Sequence, residues 1–155
     1  MKKTLIVFLV FSLFAVLFAR YVYRQPFRDF HCKGMMIFHA KTTQGRFSYT
    51  AEANMFFIGA HDGFYALNGT FTHDGQTFNL HRTQFFTYRK KGRQDVYEIV
   101  ITREIIANLD NTPRSVADPI LMPVGGSVLP RFRRIDKHAI LVSMISSPFF
   151  ICAEE

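Results

Sequence analysis

The sequence lacks the local motifs by which the common enzyme classes are recognised. It contains no Gly-x-Ser-x-Gly elbow, no glycine-rich phosphate loop and no His-Glu-x-x-His helix. An active site needs side chains placed in defined roles, which scattered histidines and carboxylates do not supply. We therefore expect a protein that is not an enzyme and that uses no cofactor and no metal ion.

Tryptophan is absent and cysteine is scarce, with two residues among 155, so phenylalanine, with 18, is the main bulky residue available for a core. The two cysteines, Cys32 and Cys152, bracket almost all of the chain that follows the N-terminal segment. In an oxidising compartment such a pair predicts one disulfide. Two buried free thiols are the alternative. Neither cysteine has a partner at zinc-ligand spacing, although His31 is adjacent.

Long apolar runs are missing as well, with one exception at the N-terminus. Two lysines precede a run from Thr4 to Ala19, and residues up to Tyr23 can extend it. As a helix, residues 4–23 would rise roughly 30 Å, the thickness of the hydrocarbon core of a bilayer. We expect residues 1–24 to form a transmembrane signal anchor with an interfacial tyrosine belt. The residues assigned to it are Leu5, Ala19, Tyr21 and Tyr23.

A cleaved secretory signal shares this layout and stays open as an alternative. The best cleavage site follows Ala19, but it places the bulky Leu17 where signal peptidase prefers a small residue. Both alternatives export the remainder of the chain. The lysines at the start favour a cytoplasmic N-terminus, which predicts a single-pass protein of the bacterial inner membrane with its C-terminal domain in the periplasm.

The remainder, residues 25–155, has the pattern of one small β domain. From Phe47 to Phe57, apolar residues occupy the odd positions and polar residues most of the even ones, which is the period of a half-buried strand. His-Asp-Gly occurs at residues 61–63 and again at 73–75, and Asp-Gly favours hairpin turns. Turn chemistry explains these residues without a metal site, and the 12-residue spacing predicts a meander.

Helix is scarce in this domain. Residues 103–109 have apolar residues at helical spacing, but they could equally prolong the strand before them. A short helical turn is expected within residues 115–121, and residues 125–126 are two glycines that mark a loop. The predicted fold class is therefore mainly β: an N-terminal transmembrane helix followed by one antiparallel domain of seven or eight strands, barrel-like or a sandwich.

Positive charge is concentrated in two short segments, within a chain of 19 Lys and Arg against 12 Asp and Glu. Export argues against direct contact with nucleic acid. A solvated hairpin turn explains the first segment, and contact with anionic lipid or with a protein partner is the functional alternative for both. The residues concerned are Arg89, Lys90, Lys91 and Arg93, then Arg131, Arg133, Arg134 and Lys137.

Several motifs together resemble one known family. They are an N-terminal anchor with a cysteine soon after it, Asp62-Gly63-x-Tyr65 with Gly69, Arg82 with Phe86 and Tyr88, Asp110 with Pro113, and the ending Ser147-Pro-Phe-Phe-Ile-Cys152. This set is similar to the FidL-like membrane proteins of enteric bacteria, over essentially the whole chain. The Cys32–Cys152 bracket with the closing Pro-Phe-Phe-Ile-Cys is the most specific element.

The resemblance implies a small single-span inner-membrane protein, often encoded next to a membrane-bound transcriptional regulator with a cytoplasmic winged-helix domain. It supplies no catalytic residues. The expected function is a non-enzymatic accessory protein whose periplasmic domain binds and modulates such a regulator, with exposed strand edges as pairing surfaces. The alternatives are a small barrel that senses an apolar ligand such as a bile salt or lipid, and an envelope protein whose basic residues rest on anionic lipid.

Overall fold

The chain folds into an N-terminal helix and one closed antiparallel sheet. The computed structural model describes residues 2–23, 27, 29–43, 45–92, 95–144 and 147–154. Its elements are α1 (Lys2–Tyr23), β1 (His31–Thr42), β2 (Gly45–Ile58), β3 (Asp62–His73), β4 (Gln76–Lys91), β5 (Val96–Ile106), α2 (Arg114–Ala117), β6 (Ser127–Val128), β7 (Arg131–Asp136), β8 (Ala139–Ser143) and β9 (Pro148–Ala153).

Two meanders build the sheet. Strands β1 to β5 pair in chain order, and β7 to β9 do the same. The sheet closes because β9 pairs with β1 while β6 and β7 pair with β5. The mainly β prediction is confirmed, and of the two architectures left open the pairings form the barrel-like one. The described residues form nine strands, more than the seven or eight expected, because the segment before Phe47 contributes β1.

Alternation in the sequence located β2 well, and its side chains are buried on one face as expected. The ambiguous segment from Arg103 continues β5 as far as Ile106, because it pairs with β4 up to the Arg82↔Ile106 position. The short helix begins at Arg114 and ends at Ala117, close to its expected place.

The second His-Asp-Gly forms the β3–β4 hairpin turn, with Asp74 at φ 45° and Gly75 at φ 87°. The first was assigned to a turn wrongly, since Asp62 and Gly63 are the first residues of β3. Gly63 is needed for space, because a Cβ there would lie 2.5 Å from the Phe86 ring. The turn between β2 and β3 instead has Gly59 in its left-handed position, at φ 59°.

Aromatic side chains close the end of the sheet that is nearer in sequence to α1. Phe27 and Phe30 are buried there, and the Phe27 ring stacks on Phe57 and meets Tyr97 and Phe132 edge-on, all at 5.3–5.5 Å. We refer to this end as the base and to the opposite one as the distal end. The core is therefore rich in phenylalanine, as expected from the absence of tryptophan.

The Cys32–Cys152 disulfide is present, and both of its residues are fully buried. It joins β1 to β9 across a Cα–Cα distance of 5.3 Å, beside their only described residue pair, Lys33↔Ala153. The two strands cross closely, because a Cβ on Gly34 would lie 2.2 Å from the Ile151 carbonyl oxygen. The disulfide thus clamps the β1/β9 seam near the base.

The N-terminal segment is helical over Lys2–Tyr23, as predicted. Among the described residues, however, no helix combines the length and the hydropathy required to cross a membrane. Of the assigned anchor residues, Ala19 is exposed, whereas the side chains of Leu5, Tyr21 and Tyr23 lie outside those described. The transmembrane role of the helix therefore stays a prediction.

Candidate functional site

Strand β1 has one edge that is only partly covered. It pairs with β2 along its whole length, from His31↔Phe56 to Thr42↔Gly45. On its other side, the described residues provide one pair, Lys33↔Ala153. Along Met35–Lys41 no described strand pairs with this side, which we call the β1 edge. Unpaired edges are the sites at which another strand can add to a sheet.

An apolar groove adjoins the β1 edge. It has a volume of about 720 Å³ and is bordered by Ile37–His39 of β1, by the loop segment Asp118–Pro123 and by Ser147–Phe149 at the start of β9. On its inner side the Phe38 ring stacks on Tyr49 at a centroid distance of 5.3 Å. Burial raises the pKa of Tyr49 well above its usual value, so this wall is neutral.

Exposed apolar side chains flank the same seam. Met35 and Ile37 are 55% and 58% exposed, and Ile151 on β9 is 56% exposed. The odd residues of β1 face outward while Cys32 and Met36 face the core. A fully solvated sheet face usually carries polar residues at such positions. The groove and these side chains together form an apolar surface around an open strand edge, which is typical of a protein-binding site.

A buried ion pair holds the start of the connection between β5 and β6, residues 107–126. The segment Asp118–Pro123 of this loop forms one wall of the groove. The Arg82 guanidinium on β4 donates from Nε to Asp110 Oδ2 at 2.9 Å and from Nη2 to Asp110 Oδ1 at 3.3 Å and to the Thr112 carbonyl at 2.7 Å. Both charged side chains are at most 1% exposed. The Asp110 carboxylate also accepts the His81 backbone N–H. Such a pair fixes one loop conformation more than it adds stability.

A second contact fixes the far end of this loop. Gln84 Nε2 donates to the Met122 carbonyl oxygen and to Glu104 Oε1, each at 2.8 Å, and its amide oxygen accepts the Tyr65 hydroxyl. Because Arg82 and Gln84 are neighbours on one face of β4, the loop is held at both ends by one strand. The groove wall is therefore a preformed structure.

Residues 69–152, more than half of the chain, match the family described as FidL-like putative membrane protein. The chain belongs to the FidL-like family. The match begins at Gly69, so it is narrower than the whole-chain resemblance suggested by the motifs and leaves out Cys32 and the N-terminal helix. It includes Arg82 and Asp110, two motif residues that the fold brings into contact. None of the curated proteins that were compared matches the sequence.

Both basic segments of this FidL-like chain lie at the base. Arg89, Lys90 and Lys91 end β4, and β7 begins on the other side of β5, since Val96 of β5 pairs with both Lys91 and Arg131. Their described members are exposed, namely Arg89, Lys90, Lys91, Arg131, Arg133, Arg134 and Lys137. Arg93 lies outside the described residues. The sequence did not reveal that segments forty residues apart share one end.

Ion pairs neutralise much of the first segment. Glu98 binds Arg89 and lies 3.4 Å from Lys91 Nζ, while Lys90 Nζ lies 2.7 Å from Asp95. The hydrogen bond from Arg89 holds the pKa of Glu98 below its usual range. This supports the solvated hairpin reading of the first segment, and a role in lipid or partner contact stays a prediction for both.

The cavity that the described residues enclose inside the sheet is small for a ligand. A cavity of about 80 Å³ lies among core side chains that include Met36, Ile101 and Phe132. Small-molecule sites usually measure roughly 300–1,000 Å³. Among the described residues, no group of three or more His, Cys, Asp and Glu is placed to hold a metal ion. The apolar groove on the outside of the sheet is thus the more capable site.

Sequence reasoning missed the β1 edge. The run from Met35 to Phe38 is apolar at every position, which masks the period of two and gives no sign that one face is solvated. Which neighbour a strand lacks is a property of the whole topology. The one available signal was an apolar run bounded by Lys33 and Lys41, a composition typical of exposed edge strands.

Proposed function

We propose that this FidL-like protein is a non-enzymatic accessory protein of the bacterial inner membrane, whose periplasmic domain binds and modulates a membrane-bound winged-helix transcriptional regulator. The observation that carries the proposal is the β1 edge beside a preformed apolar groove. A surface of this kind suits a protein partner, because strand pairing gives affinity and the groove gives selectivity.

The membrane location is supported by the family description and by the first residues of the chain. Two lysines precede an apolar run, and every described side chain of α1, from Val7 to Ala19, is exposed. Apolar helix side chains of this number need a cover, which a bilayer provides. Sequencing the N-terminus of the mature protein tests the anchor, and a new start near Arg20 would replace it with a cleaved signal.

The alternative of a small barrel that senses a bile salt or lipid has less support. A cavity of about 80 Å³ would have to expand several-fold to enclose such a molecule. The envelope-protein alternative depends on the basic residues at the base, of which three are engaged with Glu98 or Asp95. The open edge has no role in either alternative, whereas partner binding uses it directly.

Crosslinking in intact cells, followed by purification of the full-length protein in mild detergent, tests the proposed function. We expect the neighbouring membrane-bound regulator to be recovered, and deletion of this protein to change expression of the regulator's target genes. If no complex is recovered and the target genes are unaffected, the protein is not an accessory subunit of that regulator.

A further inference from the structure

We infer that the partner contributes an extended, acidic segment that adds as a strand along Met35–Lys41 of β1, with apolar side chains in the groove. The inference rests on the proposed function and specifies the chemistry of its binding site. The β1 edge is roughly 20 Å long, since a strand rises about 3.3 Å per residue, which equals an ordinary strand. An added strand would continue the seam that β9 closes only near the base.

Charge at the distal end of the edge selects an acidic segment. Lys41 lies directly opposite Arg46 in the β1–β2 register, and both are exposed. Neither side chain forms an ion pair with a described residue. Like charges directly opposite each other in an antiparallel pair are destabilising. A carboxylate from an added strand would relieve this repulsion.

The neighbouring carboxylates are engaged with other groups or lie across the groove, and they form no ion pair with the side chains of Lys41 and Arg46 among the described residues. Asp74 Oδ1 accepts the backbone N–H of Arg46 at 2.9 Å, and its other oxygen lies 3.5 Å from His73 Nε2. Asp118 lies on the opposite side of the groove, in the loop. Glu52 forms an ion pair with Lys33 near the base. The Lys41–Arg46 pair is thus the cationic end of an otherwise apolar edge.

The same charges disfavour a second copy of this chain as the occupant. Strand β1 carries His31, Lys33, His39 and Lys41 and no acidic residue. Antiparallel pairing of two Met35–Lys41 edges about Phe38 would place each Lys41 opposite a Met35, which offers no carboxylate to the Lys41–Arg46 pair. A partner of different sequence, with carboxylates near Lys41, supplies this compensation. Lysine on an edge strand is also a common means of preventing self-association.

The apolar part of the site suits alternate side chains of an extended segment. Residues of one strand point to opposite faces in turn, so one set would lie over Met35 and Ile37 on the outside and the other would enter the groove beside Phe38. Phe149 meets the Phe38 ring edge-on at 6.4 Å and lines the groove from β9. Selectivity would come from these aromatic walls and affinity from the backbone.

The test uses the full-length protein in cells with a photo-crosslinking amino acid at one position. Ile37 on the β1 edge is the test site, and Ile58, 52% exposed at the base, is the matched control. We expect the regulator's periplasmic domain to crosslink at Ile37 and not at Ile58, within an extended segment that contains Asp or Glu.

A charge reversal provides the second readout. The double variant Lys41→Glu, Arg46→Glu should lower recovery of the complex about tenfold, and Lys41→Gln, Arg46→Gln should lower it less. Both side chains are exposed, and a cooperative unfolding transition with a midpoint no lower than that of the native protein establishes that the variants fold. Ile37→Lys should also weaken the complex, whereas Ile58→Lys should leave it intact.

Other results would overturn the inference in distinct ways. A regulator that co-purifies but crosslinks only at Ile58, or that tolerates the charge reversal, contradicts strand addition and leaves the proposed function standing. A crosslink at Ile37 to a second copy of this chain, or to a lipid, names a different occupant and contradicts it as well. If no regulator is recovered at all, the proposed function itself fails.

Discussion

Reduction of the Cys32–Cys152 disulfide is expected to lower the free energy of unfolding by about 5 kcal/mol. The bond joins residues 120 positions apart, so it closes almost the whole folded domain into one loop. In the chain-entropy model, a loop of this length reduces the entropy of the unfolded chain by an amount worth about 5 kcal/mol at 25 °C. Typical domains are stable by only about 5–15 kcal/mol, so the loss is large.

The folded state should respond to reduction locally. Next to the disulfide, β1 and β9 share one described residue pair, Lys33↔Ala153, whereas β1 and β2 pair over twelve positions. Without the covalent link, the β1/β9 seam is held by this one described pair and by side-chain packing. Amide hydrogen exchange in β9 should therefore accelerate on reduction, while exchange in β3, which has paired strands on both sides, should change little.

Guanidinium unfolding of the full-length protein in mild detergent, followed by tyrosine fluorescence, measures the difference between oxidised and reduced protein. There is no tryptophan to mask the tyrosine signal. The double variant Cys32→Ala, Cys152→Ala is the control and should not respond to reductant. If the oxidised and reduced proteins unfold at the same midpoint and β9 exchange is unaltered, the entropic and seam arguments are both refuted.

Two further predictions concern single positions, and a third concerns two buried tyrosines. Asp110→Asn removes the carboxylate that binds the buried Arg82 guanidinium directly and leaves it Glu104 Oε1, 3.7 Å from Nη1, so it should cost about 3 kcal/mol in the same unfolding assay; a loss below about 1 kcal/mol would contradict it. Gly34→Ala forces a Cβ against the Ile151 carbonyl oxygen and should lower the free energy of unfolding by about 1–3 kcal/mol. An unchanged stability would show that β1 and β9 do not cross there. Burial raises the pKa of Tyr88 and Tyr97 to about 12, so the stability present below pH 10 should fall between pH 10 and 12, which unfolding midpoints across this range measure. Tyrosinate absorbance of the folded protein should lose a component above pH 10 in Tyr88→Phe and in Tyr97→Phe; loss of a component near pH 10 instead would refute this.

Local patterns predicted the elements whose surroundings are regular. Alternation from Phe47 to Phe57 located β2, because that strand has the core on one face and solvent on the other. The Cys32–Cys152 disulfide was predicted from the oxidising compartment that export implies and from the presence of two cysteines in the chain. The second Asp-Gly turn followed from the left-handed preference of its two residues. Each of these depends on a few neighbouring residues or on composition.

The remaining features depend on contacts between distant segments. The Arg82–Asp110 pair joins residues 28 positions apart, and nothing near either residue indicates that both are buried. Gly63 was assigned to a turn because Asp-Gly favours one, yet the approach of the Phe86 ring determines its place in β3. The β1 edge appears only when β9 departs from β1 after one pair. Sequence periodicity reports which face of a strand is buried, but not which neighbour it lacks.

The position of the disulfide gives the open edge a physical rationale. Where two neighbouring strands of a closed sheet are left unpaired, the sheet can open between them. An unprotected edge can also pair with other chains and lead to aggregation. Here Cys32–Cys152 holds β1 to β9 near the base, so the distal part of the seam can stay open without loss of closure. Strand β1 has no acidic residue, so a second copy of the chain offers no carboxylate to Lys41 at the distal end of the edge. The same lysine favours a carboxylate from another protein, so the feature that disfavours self-association also selects the partner that we propose for the edge.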